Sequence, residues 1–443
     1  MPGFFARGET AFSEFEMPAF LKLGKCEGAH VADDKLPGIL DLTPVNPAFN
    51  EDPHALYDKL RAKCPVYRDA AAGSFVFTGH AATREVLSDK TMWRGPERTE
   101  EAAVVTRALL KPGPPGYTIP VEERTAGILL MDEPDHTRIR SPLAKAFNRR
   151  VARSKAMIQQ IVDGYLDGLA GQNTFDAVAN YTLRLPIDVI ARILGIDNAR
   201  LAEFRAWSED AITGLNPFRS EEQTRAYVQA RNGLSAQVHE MMEARRKNPQ
   251  DDLTSDMMIA QAEGAEISDA EIALNLIGLL VAGNLTSTDL IGNGIWLLLT
   301  HPKQLAKLHA DPSLISSTVE EVLRHESPVE ITGRVAPREM HVGGCPIHPT
   351  QSLIFNLRAT NRDPAAFPDP HTFDITRKDA PHVAFGGGLH LCIGAPLGRM
   401  EAQVAILSFI QRFPNLRLAE PAQKPKWRPT PFFHGLTELM VAV

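Results

Sequence analysis

Residues 385–394 read Phe385-Gly386-Gly387-Gly388-Leu389-His390-Leu391-Cys392-Ile393-Gly394, and Ala395 to Arg412 follows with apolar residues at helical spacing. Three consecutive glycines let the backbone turn tightly and pass close to a flat ligand. A cysteine just ahead of a helix N-terminus meets free backbone N–H groups and the positive end of the helix dipole, which favour its thiolate. A buried, pre-ionised sulfur so placed suits an iron centre, as the axial ligand of a haem. A structural cysteine in a glycine turn is the plain alternative. The surroundings of the loop decide between them.

The chain has 443 residues, of which 44% are hydrophobic and 23% charged, the composition of a soluble globular protein. A net charge of −7 speaks against non-specific attraction to nucleic acid or anionic lipid. Cys26, Cys64, Cys345 and Cys392 lie far apart and form no CxxC or CxxCH, which argues against a disulfide framework, a zinc site and covalently attached haem. A reducing cytoplasm is the compartment expected. Residues 1–30 hold six charges within Arg7 to Lys25 and no spanning apolar run. Ile272 to Thr300 carries a single charge, Asp289, but is broken by Gly278, Gly283, Asn284, Gly292, Asn293 and Gly294. It reads as buried core, not as a membrane span.

No repeat or low-complexity linker divides the chain. Residues 1–50, rich in Pro and Gly, read as a segment wrapping the surface, with a single domain over 51–443. Asp52 to Lys63 reads as a capped helix and Ser74 to Thr78 as a short strand. Residues 93–128, with Pro112-Gly113-Pro114-Pro115-Gly116 inside, read as a long irregular loop of the kind often used for function. Helical patterns then dominate (153–171, 199–216, 221–246 and the long apolar segment), with strand-like pieces at 330–342 and 436–443. The fold class expected is mainly α (α+β), with small sheets.

Upstream of the cysteine, Glu321-Val322-Leu323-Arg324 places an acid and an arginine three apart on one helix face. Together with Phe-x-x-Gly-x-His-x-Cys-x-Gly, this Glu-x-x-Arg resembles the cytochrome P450 family of haem-thiolate oxygenases, from about residue 50 to the end. The resemblance implies a single domain with haem b buried between helices and Cys392 as the iron's axial ligand. Phe385 and Gly394 frame that cysteine loop. His136 and Arg140, in Met131-Asp-Glu-Pro-Asp-His136-Thr-Arg-Ile-Arg140, match the family's helix beside a haem propionate, while Arg334 and His390 match further propionate partners. Buried propionates need such charge-assisted hydrogen bonds.

Ala282-Gly283-Asn284-Leu285-Thr286 resembles the family's oxygen-site motif. There the glycine leaves space beside iron, the threonine steadies bound oxygen and an acid feeds protons. Thr286 matches, but Leu285 replaces the acid. Asp289, one turn on, is the candidate to supply the missing carboxylate, unless it pairs with a neighbouring helix. Two smaller departures are Pro142, which invites a kink, and Thr372, standing where many members carry an arginine that supports Glu-x-x-Arg.

The implied activity is a monooxygenase that inserts one atom of O2 into a small hydrophobic substrate. Its pocket walls are expected at 93–128, at Leu279 and Ala282, at Val329-Glu330-Ile331 and near Phe432-Phe433. Glu330 is unusual for such a wall; it either holds a polar group of the substrate or turns away to pair with an arginine, the second being favoured. The chain has no fused reductase, so electrons must come from NAD(P)H through a separate ferredoxin and ferredoxin reductase. The expectation is a monomer that needs neither nucleic acid nor membrane. Residues 136–155, with seven basic residues and no acid, are the candidate ferredoxin face; a solvated basic helix face is the alternative. Competing readings are a peroxide-driven or isomerising haem-thiolate enzyme and a non-catalytic haem-binding sensor or carrier.

Overall fold

The computed structural model describes residues 36–43, 46, 49, 52–107, 127–216, 219–420, 424–430 and 432–443. The expected wrapping segment 1–50 lies mostly outside the described residues, as do positions 108–126 of the expected loop.

Helices dominate. They are α1 (Pro53–Lys63), α2 (His80–Ser88), α3 (Val104–Arg107), α4 (Asp135–Val151), α5 (Lys155–Gly168), α6 (Leu185–Leu194), α7 (Leu201–Ile212), α8 (Glu221–Lys247), α9 (Leu253–Ala262), α10 (Asp269–Thr300), α11 (Pro302–Ala310), α12 (Ile315–His325), α13 (Leu357–Thr360) and α14 (Ala395–Arg412). Their starts follow local chemistry. Asp52 accepts the Ala55 N–H with Pro53 at the first helical position, while Ser220 with Gln223 and Ser268 with Glu271 form capping boxes. Pro142 sits inside α4, which nevertheless runs on to Val151.

A four-stranded sheet has the order β1 (Val66–Asp69), β2 (Ser74–Phe77), β7 (Ser352–Asn356), β4 (Ile331–Val335), with β2 and β7 parallel and the other pairs antiparallel. Three small sheets complete the fold: β3 (Thr174–Asp176) with β11 (Met440–Ala442) and β8 (Arg417–Leu418); β5 (Met340–Val342) with β6 (Cys345–Ile347); and β9 (Lys426–Trp427) with β10 (Leu436–Glu438).

The 32-residue α10 runs unbroken through the glycines and asparagines that were expected to interrupt it. Tertiary tethers explain this. Asn284 donates to Ser208 Oγ at 3.3 Å, and Asn293 donates to the carbonyls of Glu326 (3.2 Å) and His434 (2.9 Å). Although α10 is long and apolar enough to cross a bilayer, it packs against α6, α7, α8, α12 and α14 as the core helix. Cys64 is disulfide-bonded, whereas Cys345 and Cys392 are free.

Glu321 and Arg324 form a fully buried bidentate pair, at 2.7 and 2.8 Å. The other Arg324 donors reach the carbonyls of Asn361, Pro370 and Thr372. The expected gap at Thr372 is filled by Arg377, whose Nε lies 3.2 Å from Glu321 and whose remaining N–H groups bind the carbonyls of Pro368, Asp369 and Thr372. A buried carboxylate with two guanidiniums is compensated. Arg377→Ala should therefore lower stability by about 1–3 kcal/mol, read as a lower urea midpoint at unchanged slope.

Candidate active site

The glycine loop turns where its sequence says it must. Gly386 (φ +70°) and Gly388 (φ +64°) sit in the left-handed region, and a Cβ on Gly388 would stand 2.2 Å from the Leu87 carbonyl oxygen of α2. Cys392 N–H donates to Phe385 O at 3.0 Å, and the sulfur receives the N–H groups of Gly394 and Ala395 at the start of α14. Cys392 is exposed, although protein atoms crowd its sulfur. One expectation is corrected here. Burial pushes the thiol up and outweighs the two N–H groups and the Arg140 charge, so the loop alone does not pre-ionise it. Loss of the proton belongs to metal binding.

The core helix α10 has one accessible stripe. Gly278 and Ala282 are exposed and Leu285 and Thr286 are half-buried, at the four-residue spacing of one helix face, whereas most of the helix beyond them is buried. Thr286 Oγ donates to Ala282 O at 2.8 Å, one turn back. Gly283 is only partly accessible, and a Cβ there would meet Ile190 of α6 at an ordinary 3.7 Å. The space alongside the helix thus lies at Ala282 and Gly278 more than at Gly283. Leu279, expected on the wall, is buried in the main core.

Three arginines and two histidines gather between α4, β4 and the cysteine loop. The His136 and His390 rings lie 4.3 Å apart, Arg140 donates to Leu391 O, and Arg334 donates to Gly387 O at 3.2 Å. Arg94, which sequence reasoning missed, joins them. Its guanidinium is clamped by Leu129 O (2.9 Å), Thr332 Oγ (2.6 Å) and Gly333 O (2.6 Å). Nothing local in the sequence signalled Arg94, because its clamping groups come from Leu129, 35 residues on, and from β4, more than 230 residues away.

Like charge at close range has measurable consequences. Burial and the neighbouring arginines push His390 down to about 2, and burial with the Arg140 charge pushes His136 down. Burial and Arg94 likewise push Arg334 down, and burial alone brings Arg94 to about 10. Both nitrogens of buried His136 lack a hydrogen-bond partner; Glu133 stands 3.6 Å away, outside bonding distance. Asp132 is nearby but pairs with Arg98 at 2.8 Å and with backbone N–H groups.

Two buried acids lie behind the stripe. Asp289 Oδ1 bonds Arg428 at 3.0 Å while its Oδ2 has no partner, and burial raises its proton affinity. Its ion-pair partner follows β9 and does not come from a neighbouring helix. Glu401 on α14 was missed altogether. It is 1% exposed, neither oxygen has a hydrogen bond, Ser287 is its polar neighbour, and burial pushes it up to about 8. The signal was present as a lone acid on the apolar face of a helix.

The 329–331 and 432–433 segments do come together. Val329 bridges Phe433, Glu330 N–H donates to Phe432 O at 2.9 Å, and Phe432 packs in the cluster that holds Ile331. Glu330 itself is fully buried and turns to Arg358 (3.7 Å) and His434 (3.5 Å), which is the arginine-paired alternative.

The family model for cytochrome P450 matches residues 95–432. The chain belongs to the cytochrome P450 family. It is 35% identical over 406 residues to cytochrome P450 107B1 of Saccharopolyspora erythraea, covering 90% of this chain and 97% of that one. It is 34% identical to 6-deoxyerythronolide B hydroxylase of the same organism, covering 89% and 96%. Among solved structures, a myxobacterial cytochrome P450, CYP267B1, in complex with myristic acid matches with TM-score 0.80 and 31% identity, covering 89% of this chain and 97% of that one. The chain is therefore an oxidoreductase of the P450 monooxygenase type, and the family implies haem. The residues fit that group: an accessible thiol, a cluster of three arginines and two histidines that could take two propionates, and an accessible helix face.

Arg94→Gln should speed transfer of haem to excess apomyoglobin about tenfold, the value of one charge-assisted hydrogen bond. A second prediction concerns pH. Burial, opposed by Arg358 and helped by Glu326, pushes Glu330 up to about 7. An acid raised in the folded state adds stability that is complete below its unfolded value near 4.5 and is lost as pH rises through 7. Glu330→Gln should abolish this decline, matching the native protein at pH 4 and exceeding it at pH 8 by about 3 kcal/mol in urea unfolding.

Proposed function

We propose that the protein is a haem-dependent monooxygenase that hydroxylates a small hydrophobic substrate with one atom of O2. Electrons come from NAD(P)H through a separate ferredoxin reductase and ferredoxin in the cytoplasm. One observation carries the reading: the accessible Cys392 thiol is tied through its loop to a cluster of three arginines and two histidines. The bound haem would supply oxygen activation, and Cys392 would be the residue that holds its iron and donates electron density to it.

The chain's own residues do the rest. Arg94, Arg140, Arg334, His136 and His390 bind and orient the propionates. Ala282 and Gly278 keep side-chain bulk away from the helix face beside the haem. Thr286 holds a proton at Oγ and can turn it from Ala282 O toward that face. Asp289 is one source for that proton, although its bond to Arg428 competes with the role. Glu401, protonated near neutrality and adjoining Ser287, is the other. The apolar contact pair of Val329 with Phe433, and Phe432 with Ile331, suits a hydrophobic substrate held by shape; the named hydroxylase and the myristic acid complex among the relatives accord with that class.

The donor-docking face is narrower than the basic run suggested. Arg138 pairs with Asp135 and Glu271, and Arg149 and Arg150 pair with Asp256 and Asp251. Lys145, Arg153 and Lys155 are exposed and carry no ion pair among the described residues, so they are the residues assigned to an acidic ferredoxin.

A peroxide-driven enzyme is the second reading, favoured by Leu285 and by the engagement of Asp289 with Arg428. Two measurements separate the readings. The reduced protein with carbon monoxide should show the strongly red-shifted Soret band of thiolate ligation, absent in Cys392→Ala. Ferredoxin-driven turnover should then exceed peroxide-driven turnover and fall steeply with salt; Thr286→Ala should lower product formed per NAD(P)H consumed about tenfold. Loss of coupling in Glu401→Gln but not in Asp289→Asn would assign the proton to Glu401.

A further inference from the structure

Beneath the cysteine loop, Glu320 of α12 holds Arg399 of α14 through a bidentate pair, Nε–Oε1 2.6 Å and Nη2–Oε2 2.9 Å. The Arg399 guanidinium lies over the Phe385 ring, 4.5 Å from its centroid. Phe385 is the residue whose carbonyl accepts the Cys392 N–H. Glu320 is also fixed from a third side. His382 Nε2 lies 3.1 Å from Oε2, and its Nδ1 accepts the Ala384 N–H at 3.3 Å. His382 is almost fully buried, and the two ion-pair partners are about one-third exposed, at 35% and 31%. The charges of Arg140 and Arg399 both act at the Cys392 sulfur.

We propose that Glu320 is a positioning residue that clamps Arg399 flat against Phe385 and offsets its charge, thereby setting the electrostatic field at the Cys392 sulfur and the reduction potential of the haem it holds. The inference rests on the haem-thiolate reading above. Its logic is charge balance. With Glu320 ionised, the pair presents the sulfur with an arginine largely neutralised in place. Removing the carboxylate charge leaves an uncompensated cation that favours the reduced, more negative centre. Removing the arginine charge leaves an uncompensated carboxylate with the opposite effect. Burial opposes ionisation of Glu320, but the bonds from His382 and Arg399 outweigh it and hold the carboxyl down to about 2, so the charge persists at all working pH values. Partial exposure screens the field, so the effect is a few-fold and no larger.

The test is the ferric–ferrous midpoint of the haem-loaded protein, by optical titration, for Glu320→Gln, Glu320→Asp, Arg399→Gln and the Gln/Gln double variant. Glu320→Gln should raise the reduction equilibrium constant about threefold, about 28 mV at about 59 mV per decade for one electron. Arg399→Gln should lower it by a similar factor, the double variant should return close to the native value, and Glu320→Asp should stay near it. A merely structural pair would move both single variants in one direction and the double further still. That outcome, or unmoved potentials with an intact thiolate carbon monoxide band, overturns the proposal alone. A native protein lacking that band overturns the haem-thiolate reading beneath it as well.

Discussion

Charge buried in a low-dielectric interior must find a partner or lose its ionisation, and that constraint organises this molecule. Where partners come from the chain, the result is scaffold. Glu321 is held by Arg324 and Arg377, and Glu326 by Arg358 and Arg362, and both sites join the end of α12 to the segments that follow it. Where partners are withheld, the result is a site. Arg94, Arg140 and Arg334 converge with His136 and His390 and hold their mutual repulsion in place with backbone carbonyls. In the proposed reading such a cluster stores affinity for a dianionic ligand, to which the cysteine loop would present its sulfur.

The same physics separates the two acids near Thr286. Asp289 spends its attraction on Arg428 and so belongs partly to the scaffold that ties α10 to the C-terminal strands. Glu401 has only a hydroxyl beside it, so its proton is retained near neutrality. A carboxyl that holds its proton can give it up when charge develops nearby, whereas one already neutralised by an arginine has less reason to do so.

The glycine loop, the cysteine and the Glu-x-x-Arg pair were legible because each is local: the φ requirement of Gly386 and Gly388 and the i,i+3 pairing of Glu321 and Arg324 are properties of short segments. Helix boundaries at Asp52, Ser220 and Ser268 were legible in principle for the same reason, since caps act over three residues. Less legible were α10, whose glycines and asparagines looked like breaks until Ser208, Glu326 and His434 were seen to tether them, and Arg377, which supplies from five residues on the support missing at Thr372. The ionisation of Cys392 went the other way. The dipole and N–H argument is local and correct in sign, yet desolvation by the surrounding fold exceeds it.

The amino-acid order by itself determined the cysteine loop, the caps, the apolar core helix and the acid–arginine pair, because those features act within a turn or two of backbone. Only the tertiary structure decided that Arg94 belongs with Arg334, that Glu330 faces Arg358 and His434, that Asp289 answers to Arg428, and that Glu401 is isolated. The reason is range. Coulombic and desolvation energies depend on which groups meet across space, and partners contributed from tens to hundreds of residues away leave no pattern in sequence spacing.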